Sequence, residues 1–263
     1  MDLGFGGEVA ALYAQYRRGY PPEVVDTVAE TFDLGAGDVV LDLGCGTGQL
    51  SLALAGRVRA VIGMDPEPDM LTQARQAAEA RGVRNAVWML GADNDVPMLR
   101  SLLGESGLGA VTIATAVHWM DRGRLFDAVR SLLRPGGGLA VITNGGPLWL
   151  QQNSWSPVLR ACLEDWLGEP VDDACQTDEA GRGLNAEALT TAGYAVIESV
   201  VSYDAAITVE QMVGGVFSAL PVQRLPPPEE RQRFTDQVGA ALRSKTPLIE
   251  HVQVSVQLGR RLE

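Results

Sequence analysis

At 263 residues with 46% hydrophobic content, the chain is long enough to build one sizeable domain around a buried core. Its 33 acidic and 21 basic side chains leave a formal charge of −12, which opposes DNA, RNA or an anionic membrane as main partner, suits a neutral or cationic small molecule, and also serves plain solubility. The opening lacks a basic start followed by an apolar core, LGAVTIATAV (108–117) is too short to span a bilayer, and three scattered cysteines form no CxxC pair, so a soluble, cytoplasmic protein with reduced thiols is expected.

GEVAALYAQY (7–16) and PPEVVDTVAETFD (21–33) read as helices, the second entered through proline, whose missing amide is no loss in a first turn. The period then changes. DVVLDLG (38–44) is a buried strand, TGQLSLALAG (47–56) a helix, VRAVIGMD (58–65) a strand, and EPDMLTQARQAAEARG (67–82) a helix closed by glycine. NAVWML, AVTIAT and GLAVIT read as three more strands, separated by helices near 95–103 and 121–133, with Gly136, Gly137 and Gly138 forming a tight turn into the last of them. Such alternation builds a parallel sheet covered on both faces. From 147 to 183 the rhythm is lost, in a segment that is Trp-rich and then acidic and loop-like. A short helix (184–192), the strand YAVIESVVSY (194–203), helices near 208–220 and 228–243, and a last strand in IEHVQVSVQL (249–258) complete the chain.

The stretch VVLDLGCGTGQ (39–49) carries the functional signal. Glycines after a first strand let the backbone approach a ligand. A triphosphate loop needs a lysine and a hydroxyl after its last glycine, and here Gln49 and Leu50 follow Gly48. A dinucleotide loop spaced GxGxxG from Gly44 would have its third glycine at position 49, one residue later than Gly48. Asp42 just before the turn would repel a pyrophosphate but attract a cation, and Asp65 at the end of the next strand can accept both hydroxyls of a ribose. S-adenosylmethionine, which carries an ammonium and a sulfonium and no phosphate, meets these demands. Both histidines stand alone, so no metal site is read.

VLDLGCGTGQL, VIGMDPEPDML, GADNDVP, AVHWMD and LLRPGGGLAVI, in this order and spacing, resemble the class I S-adenosylmethionine-dependent methyltransferases. The opening LYAQYRRGYPPEVVD is similar to their small-molecule branch, which includes trans-aconitate methyltransferase-like and natural-product enzymes. The resemblance covers residues 7–145 well and the remainder in outline. It implies an α/β, Rossmann-like sheet of seven strands, mostly parallel with an antiparallel last strand. The whole chain would be one methyltransferase domain, with residues 35–145, 193–203 and 247–258 as core sheet and 1–34, 147–192 and 205–245 as lid and substrate cap.

The same resemblance implies site roles. Gly44, Gly46 and Gly48 would line the methionine portion, Asp42 would hold its ammonium, and Asp65 the ribose. Pro66 and Met70 would pack near the adenine, with Ala92 and Asp93 reading its edge. Tyr13, Arg17 and Thr115 belong to the same cofactor set, the arginine meeting the carboxylate. This chain departs from the pattern in having Ala92-Asp93-Asn94 where relatives often have Asp-Ala-Glu, and Arg18 where proline is usual.

Methyl transfer needs a nucleophile held close, aligned and dry, and a base only where the nucleophile must shed a proton. His118, just beyond the fourth strand, is the candidate base, with a hydrogen-bonded structural role as its equal alternative. Trp119 beside it is a candidate substrate residue. The [ND]-P-P-[YF] signature of nucleic-acid base methylation is absent, the corresponding residues reading ATAVHWM (114–120). The acidic stretch GEPVDDACQTDEAGRG, with Asp172 and Asp173, would attract a polycation. The expected function is methyl transfer to nitrogen or oxygen of a polar small molecule such as an aminosugar, or O-methylation of a small carboxylic acid or phenol, S-adenosylhomocysteine being released. An NAD-dependent oxidoreductase and a non-catalytic cofactor binder are the readings from other classes.

Overall fold

The computed structural model describes residues 4–172 and 175–262. Two helices open it, α1 (Glu8–Tyr16) and α2 (Pro22–Thr31), followed by β1 (Val39–Leu43), α3 (Gln49–Leu54), β2 (Ala60–Asp65), α4 (Pro68–Ala80) and β3 (Ala86–Leu90). A 3-10 turn (Asp93–Met98) leads into α5 (Leu99–Leu103), then come β4 (Leu108–Ala114), a second 3-10 turn (Val117–Trp119), α6 (Arg122–Leu132) and β5 (Leu133–Asn144). The remainder is α7 (Ser156–Leu167), α8 (Glu179–Thr191), β6 (Tyr194–Ala206), α9 (Val209–Phe217), α10 (Pro228–Leu242) and β7 (Ile249–Arg261).

The seven strands form one sheet in the order β3-β2-β1-β4-β5-β7-β6, parallel throughout except for β7, which runs antiparallel to both its neighbours. Period-two alternation divides the core. Val39, Leu41 and Leu43 point to the face covered by α6 and α8, where Leu125, Phe126, Val129 and Leu189 are buried. Val40 points to the other face, against Val24, Val25 and Val28 of α2 and Leu50 and Leu54 of α3. The order reverses between β1 and β4, so the loops leaving their carboxyl ends diverge and open a crevice.

Three local expectations are corrected. Residues 156–167, given no element in the segment where the rhythm is lost, form α7: Trp155, Leu159, Cys162 and Leu163 make a helical stripe that packs on Phe217 of α9 and Phe234 of α10, a third core that the surrounding polar and acidic residues mask. The 184–192 helix starts earlier, at Glu179, because the Asp178 carboxylate caps it by accepting from the Gly181 amide at 2.9 Å. Gly136–Gly138 are not a turn before β5 but part of it, bulged so that pairing steps from Leu108–Leu133 to Ala110–Gly138. Glycine is needed at 138 because a Cβ there would sit 2.1 Å from a Phe32 ring carbon. Among the described residues no helix is long and apolar enough to cross a membrane.

Candidate active site

The glycine turn is stapled to its neighbour strand, Gly44 and Cys45 both donating to Met64 O at 2.8 and 3.0 Å. Gly44 has φ +68°, and a Cβ on it would stand 2.6 Å from Ala116 Cβ, so the turn from β1 and the loop beyond β4 approach as closely as bare backbone allows. Two buried carboxylates flank it. Asp42, 1% exposed, accepts from Ser51 Oγ at 2.5 Å and Thr112 Oγ1 at 2.7 Å, and burial pushes its pKa up to about 6 against the pull of those hydroxyls. Asp65 accepts from the Gly46 amide at 2.8 Å and the Glu67 amide at 3.0 Å, and burial raises its pKa as well.

The other expected cofactor residues lie on neighbouring elements. Met70 is buried and Pro66 half-buried at the entry to α4. Ala92 donates its amide to Asp95 Oδ2 at 2.9 Å, and Asp93 accepts from the Asp121 amide at 3.2 Å, tying the segment after β3 to the start of α6. From α1, Tyr13 reaches Gly46, and Arg17 lies 5.1 Å from the Tyr13 ring centre while donating to Ser218 Oγ at 2.8 Å.

A cavity of about 390 Å³ opens at the carboxyl ends of β1, β4 and β5, within the size range of small-molecule sites. A second, smaller chamber of about 20 Å³ lies under the turn beside Asp42, Gly44 and Cys45, and Tyr13, Tyr20 and Gln49 form part of the wall of both. Thr115 lines the cavity with φ +52°, a left-handed conformation that a β-branched residue rarely adopts. Of the sequence-derived candidates, Tyr13, Arg17, Thr115 and Asp172 border it. His118 and Trp119 do not: they sit in the 3-10 turn after β4 with ring centres 4.9 Å apart, and Trp119, 52% exposed, meets Phe5 edge-on instead. Asp173 lies outside the described residues.

Several wall residues were not anticipated. Arg18 pairs with Glu250 at 2.6 Å, and Gln151 donates to the other Glu250 oxygen at 3.1 Å. A signal for Glu250 existed, since it shares the buried register of Val252, Val254, Val256 and Leu258, where an acid is out of place without a partner. Tyr20, Asn144 and Trp149 carried none that periodicity could show.

Residues 40–137 match the family model described as a methyltransferase domain. This stretch of the chain is similar to methyltransferase domains. An uncharacterized methyltransferase of Mycobacterium tuberculosis is 38% identical over 144 residues, covering 55% of this chain and 53% of its own length. A probable S-adenosylmethionine-dependent methyltransferase of Saccharomyces cerevisiae is 32% identical over 131 residues, covering 50% and 44%. The chain thus spans about half the length of the curated relatives it matches. Among solved structures, a putative type II methyltransferase from Anaeromyxobacter dehalogenans shares the fold at TM-score 0.59 and 20% identity, over 94% of this chain and 97% of that one. The cofactor of a methyltransferase domain of this class is S-adenosylmethionine, and the residues present fit it. Two buried carboxylates at the turn suit the cationic end of a phosphate-free nucleoside and would reject a pyrophosphate.

Proposed function

We propose that this chain transfers the methyl group of S-adenosylmethionine to a nitrogen or oxygen of a small polar acceptor in the cytoplasm, with an amine-bearing metabolite such as an aminosugar the favoured class. The observation that carries the reading is the shared wall: Tyr13, Tyr20 and Gln49 border both the chamber under the glycine turn and the larger cavity, so a cofactor on the turn and an acceptor in the cavity would meet there. Asp42 would hold the ammonium of the cofactor, Asp65 its ribose, and Arg17 its carboxylate. Bound there, the cofactor would supply an electrophilic methyl on its sulfonium for the lone pair of the acceptor, the sulfur keeping the carbon–sulfur pair and the acceptor proton passing to solvent.

The chain's own work is positioning and drying. Burial raises the pKa of both Tyr13 and Tyr20, so they remain neutral hydrogen-bonding phenols at neutral pH and do not act as bases. Charge on the wall favours an amine. Arg18 and Glu250 neutralise one another, Arg17 is reserved for the cofactor, and Asp172 then sets the sign an acceptor meets. The formal charge of −12 speaks against a nucleic-acid acceptor.

The test is incubation with methyl-labelled cofactor and a panel of aminosugars, phenols and carboxylic acids, read by mass. Label on a free aminosugar and not on its N-acetyl form is the expected result. Label on a phenol or carboxylic acid would overturn the amine class, and S-adenosylhomocysteine binding without any labelled product would favour a non-catalytic binder.

A further inference from the structure

Asn144 and Trp149 share an unusual property. Asn144 Oδ1 and Trp149 Nε1 are buried side-chain atoms that find no hydrogen-bond partner among the described residues, and both residues line the cavity. Buried polar atoms are nearly always paired, because the water they gave up must be replaced. Here one orphan is an acceptor and the other a donor.

Each is held in place. Asn144 ends β5, and its Nδ2 donates to Gly19 O at 3.2 Å. That bond fixes the amide, since a flip would set two carbonyl oxygens against each other and leave Oδ1 no better served. The Asn144 backbone N–H also donates to Thr115 Oγ1 at 3.4 Å, and Thr115 is the hydrogen-bonding partner of the Tyr20 phenol, so Asn144 stands one residue removed from the wall shared with the small chamber under the glycine turn. Trp149 belongs to the loop after β5, which is folded back by Leu150 N donating to Pro147 O at 2.9 Å and Gln151 Nε2 to Gly146 O at 2.9 Å.

We propose that Asn144 and Trp149 are the specificity pair for the methyl acceptor: Asn144 Oδ1 takes a hydrogen bond from an N–H or O–H of the acceptor, and Trp149 Nε1 gives one to an oxygen of the same molecule. The inference rests on the methyltransferase reading and narrows its substrate class to compounds carrying both groups, as an amino alcohol or aminosugar does and a simple alkyl amine does not. A site built to pair with such groups rejects analogues lacking them strongly, because the protein atoms are then left buried and unpaired.

Trp149→Phe and Asn144→Ala test the pair, with glucosamine as probe titrated into protein saturated with S-adenosylhomocysteine. Both variants should bind glucosamine about tenfold more weakly while S-adenosylhomocysteine affinity is unchanged. Unchanged glucosamine affinity in either variant would overturn the role of that residue. Wild-type protein that binds S-adenosylhomocysteine but not glucosamine sinks the aminosugar class and the pairing proposed for it. Protein that ignores S-adenosylhomocysteine sinks the methyltransferase reading itself.

Discussion

At the glycine turn the polar groups are held by the sheet. Asp42 and Asp65 stand at the ends of adjacent parallel strands, and each already accepts two hydrogen bonds from neighbouring protein groups. The cavity wall is drawn instead from α1, the loop after β5, and the first residues of β7, and it contains two buried polar atoms with no partner among the described residues. Prepaid hydrogen bonds make a rigid, general site, and unpaid ones make a selective site whose full stability arrives with the ligand. The same division runs through the packing, since the helices above the cavity have a hydrophobic cluster of their own, apart from the two that flank the sheet.

The sharpest way to break that comparison is to damage the third cluster alone. Trp155 is 1% exposed, and its indole donates to Ile249 O at 2.7 Å, so it joins α7 to the start of β7. Trp155→Ala should cost about 3–5 kcal/mol by chemical denaturation. If turn and cap are separable, S-adenosylhomocysteine affinity measured under folding conditions stays within about threefold; a parallel collapse of affinity would show that the two regions are one unit.

The next effect belongs to the turn. Burial lifts the Asp42 pKa to about 6 from an ordinary 3.8, so the folded state holds this proton more tightly than the unfolded chain does. The sign follows. The stabilising contribution is complete below about pH 4 and is lost as pH rises toward 6, a swing of about 3 kcal/mol against the ligand-free protein at neutral pH. A cation beside the ionised carboxylate reverses the balance, so cofactor affinity should climb between pH 5 and 7. Asp42→Asn should flatten both profiles while weakening S-adenosylhomocysteine binding at pH 7 by at least tenfold, measured by calorimetry across pH. Unchanged affinity in the variant would remove Asp42 from the cofactor site.

How much of this was legible before the fold was known differs by region for a physical reason. The strands β1 to β5 announce themselves through continuous apolar runs, and the turn through glycines whose spacing and preceding carboxylate exclude phosphate. These signals are local. α7 was hidden because its apolar stripe, Trp155, Leu159, Cys162 and Leu163, is set among polar and acidic residues, and because the surface it packs on, α9 and α10, lies more than forty residues away. His118 was singled out by its position after β4, and it lies in the 3-10 turn Val117–Trp119 with its ring 4.9 Å from that of Trp119. Asn144 and Trp149 are ordinary residues in sequence, and what distinguishes them is a hydrogen bond that the described residues do not supply.

The smallest expected effect sharpens the comparison from the side of α1, which touches both regions. Arg231 of α10 binds both carboxylate oxygens of Glu8, one of them at 2.9 Å, and this bond holds the Glu8 pKa below its usual value against a small opposing burial. A depressed carboxylate stabilises above its unfolded pKa and loses that contribution as pH falls, so the pair should matter at neutral pH and fade under acid. Glu8 is more than half exposed, however, and an ion pair in that setting contributes under about 1 kcal/mol, less in high salt. What fixes α1 is packing: Val9 and Ala10 are fully buried, and the Tyr16 ring lies so close to Gly214 that a Cβ there would come within 2.4 Å of it. Glu8→Gln should therefore lower stability by under about 1 kcal/mol in low-salt denaturation, by nothing measurable in 1 M salt, and leave S-adenosylhomocysteine affinity within about twofold. A loss above about 2 kcal/mol would mean that charge, and not the apolar face of α1, joins the cofactor turn to the cap.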